Sequence, residues 1–373
     1  MRVSNLHLQF AYIFWNIYYE TDWDVYHLIH VDLSEFYYQR YPNNLFLAWL
    51  MQNILRLNDA VGINFGEYRL MPLVILNCGI SSLVGRLVHF IVKKHYGIRW
   101  AMAGGVLYFL LAAISPWNVI PYSDSVGLLF PALIYALYIS DTHKILKGAG
   151  IPVLSYIGYL IKPQCVILFI AIAIVEIGRI GRWQKLRENL PAVGVACAIA
   201  ILAVLSLSLF LKTQYKNAGY VEWKDAQYGA AHYLMMGLNE ERNGIYSTED
   251  VEFSAHQPSK EVRTRENIRV SIERVKNMGA VGLARHLSKK LLIAFNDGTF
   301  AWGCEGVFYS ELKEDLNTGV SPWLKDVYYH NSGRLHFIYG FIVQQIWILL
   351  LLGITVCLPL VRSAAHRKKE IVF

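Results

Sequence analysis

The 373-residue chain is 55% hydrophobic and only 17% charged, with a mean hydropathy of +0.32. A soluble domain must cover itself with polar groups, so this balance excludes an ordinary soluble protein and implies an α-helical, polytopic membrane protein. The net charge of +7 comes from basic residues gathered in short loops between apolar segments, the pattern that fixes membrane orientation, and no nucleic-acid partner is expected.

In chain order, the first apolar stretch is 6–19, short against the roughly 20 residues a span needs. It has no small-residue cleavage site and is expected to stay as the first anchor, tilting little, thinning the bilayer, or reflecting a start placed downstream of the true one. The acidic and aromatic string Tyr19-Glu20-Thr21-Asp22-Trp23-Asp24-Val25-Tyr26 follows directly. Residues 42–57 are apolar on one side and carry Asn43, Asn44, Gln52, Asn53 and Arg56 elsewhere, which predicts a helix lying in the interface.

Further spans are expected at about 70–92, 101–120, 125–139, 148–161, 164–180, 189–211 and 336–361, giving about eight in all. The basic loops at 93–99, 143–147 and 179–187 and the tail from Arg362 are assigned to the cytoplasm. The chain then divides into a transmembrane module over 1–212, an extracytoplasmic region over 213–335, and a last span with a basic tail over 336–373. Aromatic residues, 24 Tyr and 10 Trp among them, lie at many segment ends and read as interfacial anchors. Four of the five cysteines fall in apolar segments and only Cys304 in a polar one, so neither a disulfide framework nor a CxxC metal site is visible.

The polar region shows a turn-rich stretch around Gly237-Leu238-Asn239, the string Phe295-Asn296-Asp297-Gly298-Thr299-Phe300-Ala301-Trp302, and an amphipathic helix over 260–294. Arg274, Arg285, Lys289 and Lys290 on that helix suit either an anionic membrane surface or a solvated face.

Three features fall on one outer face: Asp22 and Asp24, the loop Pro121-Tyr122-Ser123-Asp124-Ser125, and Lys162. A carboxylate at the membrane surface can take a proton from a hydroxyl acceptor while a lipid-linked donor lies alongside; alternatively, these acids belong to a solvated loop. Lys162 sits between two apolar segments, where an ammonium needs a counter-ion, for which a phosphate is suited, or snorkels to the interface. Asp124, in a Ser-rich turn before a span, is either a helix N-cap or a partner in that site.

The order TDWDVY, RYPNN, PYSDS, GYLIKP, MGLN and FNDGTFAWGCEG, from about residue 20 to 310, resembles membrane glycosyltransferases of the GT-C fold. The likeness is to the dolichyl-phosphate-mannose protein mannosyltransferase and aminoarabinose transferase type, and within it to a bacterial, mainly Gram-positive branch of integral membrane proteins. The resemblance implies a polyprenyl-phosphate sugar donor in the outer leaflet, an envelope glycan or protein acceptor, and transfer with inversion. It implies a catalytic base at Asp22 or Asp24, with Asp22 favoured by its spacing to Tyr26. Lys162 would stabilise the leaving phosphate, with Asp124, Tyr41, Asn43, Asn44 and Glu305 as further substrate-binding residues. A divalent cation is left open, since Asp22, Asp24 and Glu305 could supply hard oxygen ligands. The chain departs from fuller members in its short first span and its single span after the polar region. A polysaccharide polymerase, or a transporter or flippase of lipid-linked sugars, is the competing class; the latter is expected to show internal repeats, and none is visible.

Overall fold

A computed structural model describes residues 32–63, 65, 70–179, 183–302, 321–328 and 333–367. Among them every regular element is helical. The segment 6–19, Asp22, Asp24 and Glu305 lie outside the described residues.

Helix α1 (Phe36–Arg40) leads through a 3-10 turn, Pro42–Asn44, into α2 (Leu45–Val61). Proline fixes φ at the turn's start, and Gly62, at φ 75°, ends α2 in the left-handed conformation that glycine adopts without strain. The helix expected over 42–57 therefore begins three residues later and runs four further. Leu45, Ala48, Met51 and Leu55 recur at helical spacing and are buried, so this stripe packs α2 onto the bundle, against the helices Met71–Tyr96, Lys144–Ile161 and Trp183–Asn217.

Helix α3 (Met71–Tyr96) is followed by α4 (Ile98–Tyr108), which ends in a π-turn, Phe109–Ala113. The span expected to reach residue 120 stops at 113 because Ser115 precedes Pro116 and is held extended at φ −63°, ψ 136°. Asn118 caps the freed carbonyls, its Nδ2 donating to Ala113 O at 3.1 Å and Ser115 O at 3.3 Å. Asn77 of α3 in turn donates to Asn118 O at 2.5 Å.

The segment expected as a span over 125–139 is a helical run from Ser123 to Ile139, in which Leu128, at φ −58° and ψ −27°, separates α5 (Ser123–Gly127) from α6 (Leu129–Ile139). Then come α7 (Lys144–Ile161), a 3-10 turn at Pro163–Val166, α8 (Ile167–Arg179) and α9 (Trp183–Asn217). In the bundle, α3 packs on α4 and α6, α7 on α6 and α9, and α8 on α6 and α7. Among the described residues three helices are long and apolar enough to cross a membrane: Met71–Tyr96, Leu190–Asn217 and Arg334–Cys357. Ile98–Ala113, Ser123–Ile139 and Pro163–Gly178 are shorter apolar helices.

Contacts sort the loops to two ends. Near the C-terminal end of α3, Lys94 pairs with Asp141 and His95 stacks on Tyr135 at 5.9 Å, which brings the basic loops after α3 and α6 together. Toward its N-terminal end Asn77 bonds the carbonyls of Asn118 and Ile120, and Trp302 of the polar region packs on Trp117 beside them.

That region contains α10 (Ala230–Gly237), α11 (Thr248–Ala255) and α12 (Lys260–Phe295). Gly279, at φ 61° and ψ −177°, breaks α12 in two. The expected amphipathic helix is present with its polarity reversed. Arg263, Asn267, Ser271 and His286 are its buried residues, while Ile268, Ile272, Leu287 and Leu291 are exposed. The polar groups face inward because α10 and α11 offer carbonyls and hydroxyls to bond. Helices α13 (Ser321–Tyr328) and α14 (Arg334–Arg367) complete the fold, packed on each other.

Candidate functional site

Lys162 follows the last residue of α7 and is held extended at φ −151° because Pro163 comes next. Its ammonium pairs with the carboxylate of Asp124. Asp124 is not the cap of α5. That role falls to Tyr122 with Ser125, whose Oγ accepts from Tyr122 N at 3.3 Å, so the Asp124 side chain is left to face α7. Close helix packing makes the meeting possible. A Cβ on Gly158 would lie 2.9 Å from both Phe130 and Cys165, so only glycine lets α6 come this near, and Cys165 Sγ adds a contact to Gly127 O at 3.4 Å. The Lys162 side chain is 29% exposed and that of Asp124 71%, so the pair is open on the carboxylate side and an incoming anion can compete for the cation.

The 3-10 turn Pro42–Asn44 touches α7. Asn44 is buried and donates to Tyr37 Oη at 2.8 Å, while Asn43 donates to Asn44 Oδ1 at 3.0 Å. Tyr41 lies between Tyr37 and Tyr228, with ring centroids 5.2 and 5.5 Å away. Burial, reinforced by Tyr228, pushes its phenol up to about 12, so it acts as a neutral hydrogen-bonding group. Tyr41, Asn43 and Asn44 thus sit on one turn beside the helix that ends in Lys162.

The same turn joins the polar region to the bundle. Tyr228 N donates to Arg40 O at 3.1 Å, and Arg40 and Arg263 both lie over the Tyr228 ring. His232 stacks on that ring at 4.3 Å and shares a hydrogen bond with Ser254 Oγ at 2.7 Å. Burial pulls its imidazole down to about 4, against the opposing pull of Asp250, so it is neutral near pH 7. Arg263 is buried with Nε on Ser254 O at 2.8 Å and Nη1 on Gln227 O at 3.0 Å.

A second polar cluster was not foreseen from sequence. Arg274 grips Asp250 with two hydrogen bonds, 2.7 Å and 3.0 Å, and Asn239 donates to the same carboxylate at 3.0 Å. Burial pushes the Asp250 carboxyl up, but the Arg274 and Asn239 hydrogen bonds outweigh it and hold it below the usual range. A cleft of about 570 Å³ opens over this cluster, edged by Glu241, Arg242, Glu249 and Asn277. Asn239 of the MGLN string thereby gains a role. Arg274 showed in the sequence only as one basic residue of a helix, because its partner is 24 residues away.

The string 295–302 is an anchor. The Asp297 carboxylate accepts from Thr299 N and from Ala301 N, both at 2.8 Å, and so closes its own turn. A Cβ on Gly298 would lie 2.8 Å from Val343 O, which requires glycine where the turn meets α14. Trp302, fully buried, packs edge-on to Trp117 at 5.2 Å and donates to Tyr328 O at 2.8 Å.

Asp22, Asp24 and Glu305, the proposed base and a proposed ligand, lie outside the described residues. Among the described residues no three His, Cys, Asp or Glu side chains converge on a metal-binding point. Neither the curated proteins nor the solved structures contain a match to this chain. The family described as "Conserved hypothetical integral membrane protein" matches residues 5–367, and the chain belongs to it as an integral membrane protein with helices able to span the bilayer.

Proposed function

We propose that the chain is a GT-C-type membrane glycosyltransferase with about eight spans. It moves a sugar from a polyprenyl-phosphate donor to a cell-envelope acceptor on the extracytoplasmic face. The observation that carries this reading is the Lys162–Asp124 pair, a partly exposed cation at the end of an apolar helix, held on an exposed, displaceable counter-ion, with the RYPNN turn packed on the same helix. A lipid phosphate entering from the bilayer would reach that cation without losing its acyl environment.

In the proposed reaction, the acceptor hydroxyl oxygen attacks the anomeric carbon from the face opposite the phosphate. The new carbon–oxygen bond forms as the bond to the phosphate oxygen breaks, with inversion. The hydroxyl proton passes to Asp22 or Asp24, and polyprenyl phosphate leaves with its charge met by Lys162. No step requires a metal, and a divalent cation at Asp22, Asp24 and Glu305 would act on the phosphate alongside Lys162.

Lipid-linked sugars extracted from cells with and without the protein provide the test. Accumulation of one polyprenyl-phosphate monosaccharide in its absence is expected and would name the donor. An unchanged pool of lipid-linked sugars would overturn the proposal.

A further inference from the structure

Gly279 turns the second half of α12 into an element of its own. Its φ of 61° is glycine territory, and nothing lies within 4 Å of where a Cβ would be, so the break is a property of the backbone and not of packing. Beyond it, His286 and Lys290 reach back to the carbonyl of Gly237 at 3.0 and 2.8 Å. That fixes one face of the helix on α10. Leu287, Leu291, Leu292 and Phe295 are left 53%, 62%, 66% and 47% exposed, with Arg285 and Lys289 exposed among them.

Hydrogen bonds to the last span set the depth of this face. Trp347 Nε1 donates to Phe295 O at 2.7 Å, Gln344 Nε2 to Asn296 O at 2.8 Å, and Gly298 N to Gln344 Oε1 at 2.7 Å. Helical rise puts Gln344 about 27 Å along α14 from Arg362, the first basic residue of the tail. A hydrocarbon core is about 30 Å thick and the apolar span begins at Arg334, about 15 Å before Gln344, so Gln344 and Phe295 lie at or inside the boundary on that side. Leu291 and Leu292 are one turn from Phe295, within about 6 Å of that level whichever way the helix points. The interfacial layer is itself about 5–8 Å deep. Any orientation therefore leaves these leucines at headgroup level or below.

We infer that residues 280–295 form an amphipathic helix seated in the leaflet on the side of the polar region. The leucines and Phe295 lie among acyl chains, and Arg285 and Lys289 meet the phosphates of anionic lipids. Two separate features support a lipid occupant: continuity with an established span, and basic residues flanking the apolar face. The inference is independent of the reaction proposed above.

The test uses the full chain in nanodiscs of phosphatidylglycerol and phosphatidylethanolamine, with the photo-reactive residue benzoyl-phenylalanine at Leu291, at Leu292, or at Ile268 before the break. Lipid adducts are expected at 291 and 292 and at most weakly at 268. Adducts instead to another part of the chain or to a second copy, no adduct at either leucine, or equal labelling at 268 would each overturn the inference. In the 291 background, R285Q with K289Q should lower the ratio of phosphatidylglycerol to phosphatidylethanolamine adducts at least about fivefold. An unchanged ratio would remove the anionic-lipid assignment.

Discussion

Lys162 and Asp124 stand 38 residues apart and meet as an ion pair between the end of α7 and the first turn of α5. Asp124 occupies the place that a donor phosphate would take, so the two residues should have opposite effects on anion binding. Asp124→Asn removes the internal competitor and is expected to tighten polyprenyl-phosphate binding. Lys162→Met keeps much of the apolar stem but loses the charge, and is expected to weaken it. A charge-assisted hydrogen bond worth about 1.5–3 kcal/mol corresponds to about 10- to 100-fold in affinity. Binding measured in nanodiscs decides the matter: if neither variant changes affinity, the pair is structural and Lys162 only snorkels.

The ion pair between Lys94 and Asp141 puts two basic loops at one end of the bundle, and Tyr228 on Arg40 puts the polar region at the other. Single cysteines near Lys147 and near Asn217, in a background without the native cysteines, should therefore label from opposite sides, the latter from outside. Labelling of both from outside would overturn the eight-span arrangement and the convergence that depends on it.

The three helices long enough to cross a membrane were legible because apolar runs of spanning length leave few alternatives. Their ends were less so: the stop at Ala113 depends on Ser115-Pro116 and on a cap supplied by Asn118, and the break at Leu128 lies between Gly127 and Pro131, whose missing N–H leaves Gly127 O to Cys165. Lys162 and Asp124 could be placed on one face from topology alone, but their pairing depends on Gly158, whose meaning appears only when Phe130 packs on it. The Asp250–Arg274–Asn239 cluster was illegible for a simpler reason. Its members belong to three different segments, and polar residues on the inner face of α12 defeat the rule that apolar faces pack.

Trp302 links the turn after α12 to the end of α4 and to α13, through Trp117 and Tyr328. Trp302→Ala empties a fully buried site and should cost about 3–5 kcal/mol. Trp302→Phe keeps one aromatic ring and loses the smaller ring of the indole with the N–H donated to Tyr328 O, so it empties less of the site and its cost should be smaller. Thermal unfolding in detergent, read as a fall in Tm, should rank them in that order. Equal, small shifts would mean that the turn does not hold the helices together.

His232 predicts a pH dependence of the polar region. In the folded protein, burial holds its imidazole at about 4 instead of 6.5, so between those values the unfolded chain takes a proton that the folded one refuses. Stability should then fall as pH drops from about 6.5 to about 4 and not change on this account above that window. Asp250 acts lower: its carboxyl is depressed, so the stability it gives is lost only as pH falls below 3.8. His232→Gln, which keeps a hydrogen-bonding group beside Ser254, should flatten the dependence between pH 6.5 and 4. The same slope in the variant would assign it to other groups.

The carboxylates at Asp22 and Asp24 offer the sharpest test of chemistry, because a base can be removed with little change of shape. Asp22→Asn and Asp24→Asn each keep size and some hydrogen bonding while abolishing basicity, and loss of a positioned base costs about a hundredfold to ten-thousandfold in rate. One of the two should lose transfer while retaining donor binding, since in the proposed reaction the base meets the acceptor hydroxyl and Lys162 meets the phosphate. Asp22 is expected to show the larger loss, and Asp24 a milder one as an orienting group. Sugar transfer from a synthetic polyprenyl-phosphate donor in nanodiscs, run beside the binding measurement used for Lys162, separates the two roles. Loss of binding in step with transfer would move the acids from catalysis to donor recognition. Near wild-type transfer by both single variants and by the double variant would overturn the glycosyltransferase mechanism.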